Sequence, residues 1–196
     1  MTHLPTWFQI PNLGYEDGSD VGMTDVVSIS RRGFLRGVGK VRPALIRPPW
    51  ALVEQAFVAS CTRCEACIEH CPQGILIHGD GGFPQVDFSR GECTFCAECL
   101  VGCEPAALQR TSVDQLPWQL QVDIGSNCLA MNGVECRVCG ENCPETAIRF
   151  RPRLGGVALP ELDAQCCSAC GACVAPCPSG AISITHSPQQ TMESMA

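Results

Sequence analysis

The sequence predicts an α+β fold of two tandem modules behind a disordered basic arm, and three observations predict it. Seventeen of the 196 residues are cysteine, far above ordinary globular usage. Those cysteines fall into four groups of nearly equal spacing. Between the first and second groups, and again between the third and fourth, an apolar stretch, a glycine turn and a second apolar stretch read as a β-hairpin.

Composition says what holds such a chain together. Aromatic residues make up 6 %, with one tyrosine, so the hydrophobic core is poor for this length. Disulfides, metals or clusters must supply the rest. No apolar run reaches the roughly 18 residues of a membrane-spanning helix. The net charge of −7 argues against nucleic acid as the main partner. Residues 1–53, with six basic and four acidic side chains, carry +2, and the remainder carries −9.

The spacing narrows the choice. Group one is Cys61, Cys64, Cys67 and Cys71 followed by Pro72; group two is Cys93, Cys96, Cys99 and Cys103, with the proline displaced to Pro105. Group three is Cys128, Cys136, Cys139 and Cys143 with Pro144, its first gap widened to seven residues. Group four is Cys167, Cys170, Cys173 and Cys177 with Pro178. This is the bacterial ferredoxin run for [4Fe–4S] clusters, in which three thiolates on one loop hold a cluster and the fourth reaches its neighbour. The proline, lacking an N–H, stops the short helix between them. Zinc sites use two separated cysteine pairs rather than triplets plus a fourth. A disulfide framework needs an oxidising compartment and suits such close triplets badly. Four [4Fe–4S] clusters are therefore expected, with Cys166 left over as a bystander.

Exchange of the fourth cysteines within each module gives four ligand sets. Cluster one takes Cys61, Cys64, Cys67 and Cys103; cluster two takes Cys93, Cys96, Cys99 and Cys71. Cluster three takes Cys128, Cys136, Cys139 and Cys177; cluster four takes Cys167, Cys170, Cys173 and Cys143. Pairing of the first group with the fourth and the second with the third is the alternative, and the intervening hairpins favour the sequential scheme.

In chain order, residues 1–27 show no helical or strand period and are expected to be disordered. From Arg31 to Arg47 the chain is basic without an acidic residue, so 1–53 reads as a tail and arm. Residues 54–112 form the first module and 122–186 the second, with a connection at Thr111–Gln121 that carries Pro117 and Trp118. Residues 187–196 are a second tail. Each group is followed by an apolar pair, Ile75-Leu76, Ala107-Leu108, Ala147-Ile148 and Ala181-Ile182, expected to begin a strand and shield a cluster. Ser30-Arg31-Arg32-Gly33-Phe34-Leu35 has the form of a twin-arginine export signal, but Lys40, Arg42, Arg47 and three prolines break the apolar region that must follow. A retained arm, with Arg31, Arg32 and Arg36 docking a partner, is the reading preferred to export. His3, His70, His78 and His186 stand singly, so no catalytic constellation forms and the chain reads as a non-enzyme.

Taken together, the Ser30-Arg31-Arg32 arm, Arg47-Pro48-Pro49-Trp50-Ala51, Cys61-Thr62-Arg63-Cys64, Gly79–Pro84 and Gly91–Cys96 resemble the NapF-type ferredoxins of periplasmic nitrate reductase systems. The resemblance covers residues 28–186. It implies a cytoplasmic four-cluster protein that binds the molybdenum-containing catalytic subunit of periplasmic nitrate reductase and assists its maturation before export. A general low-potential electron carrier feeding a reductase is the alternative, and an integral small subunit of a membrane oxidoreductase a third.

Overall fold

Short elements dominate, because glycine, proline and the cysteine loops interrupt every period. The computed structural model describes residues 45–187. Four helices, α1 (Glu54–Ser60), α2 (Ala66–Glu69), α3 (Glu98–Val101) and α4 (Val138–Glu141), accompany six strands. The strands are β1 (Leu76–His78), β2 (Pro84–Val86), β3 (Leu120–Ile124), β4 (Ile148–Arg153), β5 (Gly156–Leu162) and β6 (Ile182–His186). Helices of one turn do not form alone. Tertiary packing holds α2, α3 and α4, each of which presents the third cysteine of its run.

Both expected hairpins form. Strands β1 and β2 pair antiparallel with Leu76 opposite Val86, both buried, and the turn is closed by Gly81 and Gly82 at φ +68° and +77°. Strands β4 and β5 pair with Ile148 opposite Leu162, and Gly155 takes φ +72° in their turn. Alternation places Ile148 inward while Arg149, Arg151 and Arg153 face water.

The third sheet is non-local. Strand β3 pairs antiparallel with β6, Val122 opposite Ile184, so the two ends of the second half close on each other. The first half closes by the same logic with far less backbone: Ala51 and Leu108 form an isolated antiparallel bridge. Here the structure corrects the expectation that Ala107-Leu108 begins a strand. Pro48 and Pro49 have no N–H to donate, and Trp50 turns the chain into the left-handed region at φ +58°.

A second correction concerns the start of the body. Residues 46–50 lie on the tail side of the expected 53/54 boundary, yet Ile46 and Trp50 are buried and Pro48 and Pro49 are among the most enclosed side chains. Arg47 belongs to this body too. Its guanidinium makes a two-point ion pair with Glu54 at 2.6 and 2.9 Å and lies 4.9 Å from the centre of the Phe57 ring.

The described residues, 45–187, gather into one compact unit. One apolar core runs from Ile46 and Phe57 through Phe88 to Val122, Ile148 and Ile184. The connection at 111–121 is largely exposed but anchored at Pro117 and Trp118. Pro117 accepts a hydrogen bond from the Trp50 N–H at 2.7 Å, and Trp118 meets Phe88 edge-on at 5.7 Å and Phe95 at 5.6 Å. No helix among the described residues is long and apolar enough to cross a membrane.

Candidate cluster-binding cavities

The loops that carry the cysteines are bent in the same unusual way. In groups one, two and four the residues on either side of the second cysteine have positive φ: Arg63 and Glu65 at +59° and +66°, Phe95 and Ala97 at +55° and +63°, Ala169 and Gly171 at +54° and +87°. Residues with side chains enter this region at a cost of about 1–2 kcal/mol each. Alternation of left- and right-handed residues turns successive N–H groups toward one side, forming a concave site for anions of the kind that surrounds iron–sulfur groups. A second repeat follows every run. Gly74, Ala106, Thr146 and Gly180, each three residues after the last cysteine, take φ between +52° and +62°. Each also donates its N–H to that cysteine's carbonyl at 3.0–3.2 Å. In groups three and four the next N–H, of Ala147 or Ala181, donates to the sulfur of Cys143 or Cys177 at 3.3 Å.

These bends bring the cysteines together in fours. Cys61, Cys64, Cys67 and Cys103 line one concavity, walled by Phe57, Ile68 and Leu108. Cys71, Cys93, Cys96 and Cys99 line a second, under Trp50 and Leu76. Cys143, Cys167, Cys170 and Cys173 line a third, against Val122 and Ile148. The remaining four are related more loosely. Cys139 lies in the field of Cys128 and Cys136, while Cys128 and Cys177 share a small buried cluster with Ala130 and Ala181. The widened gap of group three is a built turn. The Asn132 amide donates to the carbonyls of Ser126 and Cys128 at 2.8 Å each, and Gly133 at φ +81° supplies the left-handed residue.

Electrostatics explain what these sites require. Burial, reinforced by neighbouring thiols, pushes Cys67 and Cys93 up to about 11 and Cys99 and Cys173 up to about 12. Such thiols ionise only when a positively charged group compensates them. At Cys177, burial works in the same direction, but the Ala181 N–H and the Ser179 hydroxyl outweigh it and hold the thiol below its ordinary value. Among the described residues no three His, Cys, Asp or Glu side chains converge on a single ion. The sulfur donors and the inward N–H groups fit an anionic iron–sulfur cube.

Adjacent cavities lie near one another. Cys99 feels Cys67 from the first cavity, and Cys173 feels Cys139 from the third group. Across the halves, the Cys93 N–H donates to the Cys170 carbonyl at 2.8 Å, so the second and third cavities are one hydrogen bond apart.

The residues outside this arrangement are accounted for as follows. The Cys166 thiol is exposed and donates to Asp163 at 3.3 Å. His70 bonds the Ala66 carbonyl at 2.7 Å, His186 bonds the Leu45 carbonyl at 2.9 Å, and His78 faces Glu65 at 3.8 Å. Arg31, Arg32 and Arg36, with His3, Lys40 and Arg42, lie outside the described residues. Two contributors were not singled out from sequence. Trp118 joins the halves by donating its indole N–H to the Ser168 carbonyl at 3.3 Å. Thr62, Thr94 and Ser168 repeat a hydroxyl one residue after the first cysteine, a signal visible in the aligned runs.

No family model matches the chain, and no solved structure does. Curated relatives do match. The ferredoxin-type protein NapF of Escherichia coli K12 is 44 % identical over 160 residues, 82 % of this chain and 96 % of the relative. NapF of Haemophilus influenzae is 44 % identical over 170 residues, covering 81 % and 95 %. The methylamine utilization ferredoxin-type protein MauM of Paracoccus denitrificans is 30 % identical over 185 residues, covering 86 % and 83 %. These names are those of ferredoxin-type proteins and not of enzymes. With sixteen of its cysteines in four repeated runs and this identity along four-fifths of its length, the chain belongs to the NapF family of ferredoxin-type proteins.

Proposed function

We propose that this protein carries four [4Fe–4S] clusters, held by the sets Cys61/Cys64/Cys67/Cys103, Cys71/Cys93/Cys96/Cys99, Cys128/Cys136/Cys139/Cys177 and Cys143/Cys167/Cys170/Cys173. The observation that carries this reading is the sharing of each well-formed cavity by three cysteines of one run and the fourth of its partner run. When bound, such clusters supply one-electron transfer at potentials set by hydrogen bonds, charge and exposure. The chain's own part is to hold the sulfurs, exclude water with Ile75, Ala107, Ala147 and Ala181, all at most 4 % exposed, and aim N–H groups inward. Anaerobically loaded protein should bind about sixteen iron atoms, four per cluster. About eight iron atoms with bound zinc would overturn the scheme.

Its role is cytoplasmic. It binds the immature molybdenum-containing catalytic subunit of periplasmic nitrate reductase through Arg31, Arg32 and Arg36 and assists maturation before export. Kinship with NapF supports this reading, as does the basic arm, an appendage that a plain carrier does not need. The competing reading is a general low-potential carrier. Co-purification with the catalytic subunit, bearing or lacking its export signal, decides between them: capture of the immature form alone supports maturation, and capture of neither form refutes it.

A further inference from the structure

Among the described residues, one buried side-chain polar atom has no hydrogen-bond partner: the hydroxyl oxygen of Ser168. Ser168 lines the cavity shared by Cys143, Cys167, Cys170 and Cys173. A buried donor without a partner is costly and calls for an acceptor that belongs to the site. The same position in the first two runs holds Thr62 and Thr94, which also line their cavities but are exposed, so water can satisfy them. In group three the position is Leu129, which has no hydroxyl. Ser168 differs because its loop is covered. Its carbonyl is held by the Trp118 indole, Ala169 beside it is 4 % exposed, and the Phe88 ring packs against Gly171.

We propose that the Ser168 hydroxyl donates a hydrogen bond to a sulfur of the cluster bound in this cavity, and thereby raises its reduction potential selectively. The inference rests on the ligand scheme above. The hydroxyl keeps its proton. One-electron reduction adds one negative charge at the cavity, and a donor aimed at sulfur stabilises the more negative state more. The exposed Glu145 carboxylate also borders the cavity, but it is solvated and no hydrogen bond joins it to Ser168.

The test uses the full-length protein, loaded anaerobically and titrated with a low-potential reductant while the cluster signals are followed. Ser168→Ala should move one of four one-electron waves to lower potential, by about tenfold in its equilibrium constant or about 59 mV. The other three should stay in place. Ser168→Thr, which keeps the hydroxyl, should restore the wave. Wild type loaded in light and in heavy water should differ by a set of exchangeable protons coupled to the reduced clusters, backbone N–H groups among them, and Ser168→Ala should lack one of these couplings. Four unmoved waves in Ser168→Ala, or the same set of exchangeable couplings in wild type and Ser168→Ala, would overturn the proposal. If Ser168→Ala does not retain iron, the threonine variant decides, since its waves and couplings should match those of wild type. An iron count far below four per cavity in wild type would instead defeat the ligand scheme.

Discussion

Gly171 is the position at which one added methyl group should do most damage. It stands between Cys170 and Cys173 at φ +87°, and a Cβ built there would come within 2.0 Å of one ring carbon of Phe88 and 2.6 Å of two more. Two costs therefore combine in Gly171→Ala. The left-handed backbone costs an L-residue about 1–2 kcal/mol, and forcing a ring out of a packed core costs about 1–3 kcal/mol. Gly155 separates the two, because it has φ +72° in the β4–β5 turn with nothing within 4 Å of its Cβ site. Gly155→Ala should then show only the backbone cost, and Gly171→Ala that cost plus the clash. The assay is thermal loss of cluster absorbance in anaerobic holoprotein, in which about 1 kcal/mol corresponds to about 2–4 °C for a chain of this size. Phe88→Ala removes all three of those carbons, so Gly171→Ala combined with Phe88→Ala should be less destabilised than the two single variants together. Equal losses in Gly155→Ala and Gly171→Ala would refute the clash.

Three further outcomes follow from the same observations. Protein stripped of iron should lose most of its far-UV circular dichroism, because three one-turn helices, short strands and a thin core cannot fold without the free energy of cluster binding; a spectrum equal to that of the holoprotein would contradict this. The Arg47 hydrogen bond holds the Glu54 carboxyl below its ordinary value, so its contribution is present above the unfolded carboxylate range and is lost as pH falls through the lower folded value. Since the Glu54 side chain is 49 % exposed, Glu54→Gln should cost less than about 1 kcal/mol at neutral pH, and denaturation midpoints should converge with wild type in acid. Replacing Arg31 and Arg32 with Ala should leave cluster spectra unchanged and weaken binding to the immature catalytic subunit, with a smaller loss at high salt where screening shortens to a few Å; a salt-independent loss would mean that the contact is not electrostatic steering.

How much of this was legible depended on whether the responsible signal is local. The four runs and both hairpins are local, since spacing and glycine turns announce them, and they appear where the sequence puts them. The β3–β6 sheet joins residues about sixty positions apart, so no local period marks it. Arg47-Pro48-Pro49-Trp50 reads as the end of a basic, proline-broken arm. Prolines without N–H groups to satisfy are nonetheless inexpensive to bury, and Arg47 finds both a carboxylate and aromatic faces for its charge.

The bent loops were the least legible feature, and they carry the strongest functional argument. Arg63, Glu65, Phe95 and Ala97 have no composition cue for a left-handed backbone, and only Gly171 in the equivalent places does. Thr146 is β-branched, which makes φ +52° especially unfavourable. Strain of this kind persists only where the surroundings over-determine it, yet outside the covered Ala169–Gly171 loop these are exposed or half-buried loops on short elements that supply little packing to impose it. Its recurrence at the same offset from each final cysteine ties it to the sulfur, and the Ala147 and Ala181 N–H groups show the result, a donor placed 3.3 Å from a cysteine sulfur. A disulfide gains nothing from such donors, and a neutral thiol gains little, because strong N–H donation rewards negative charge on the acceptor. The backbone is therefore shaped for thiolates gathered around an anionic centre, and the binding of that centre offsets the strain.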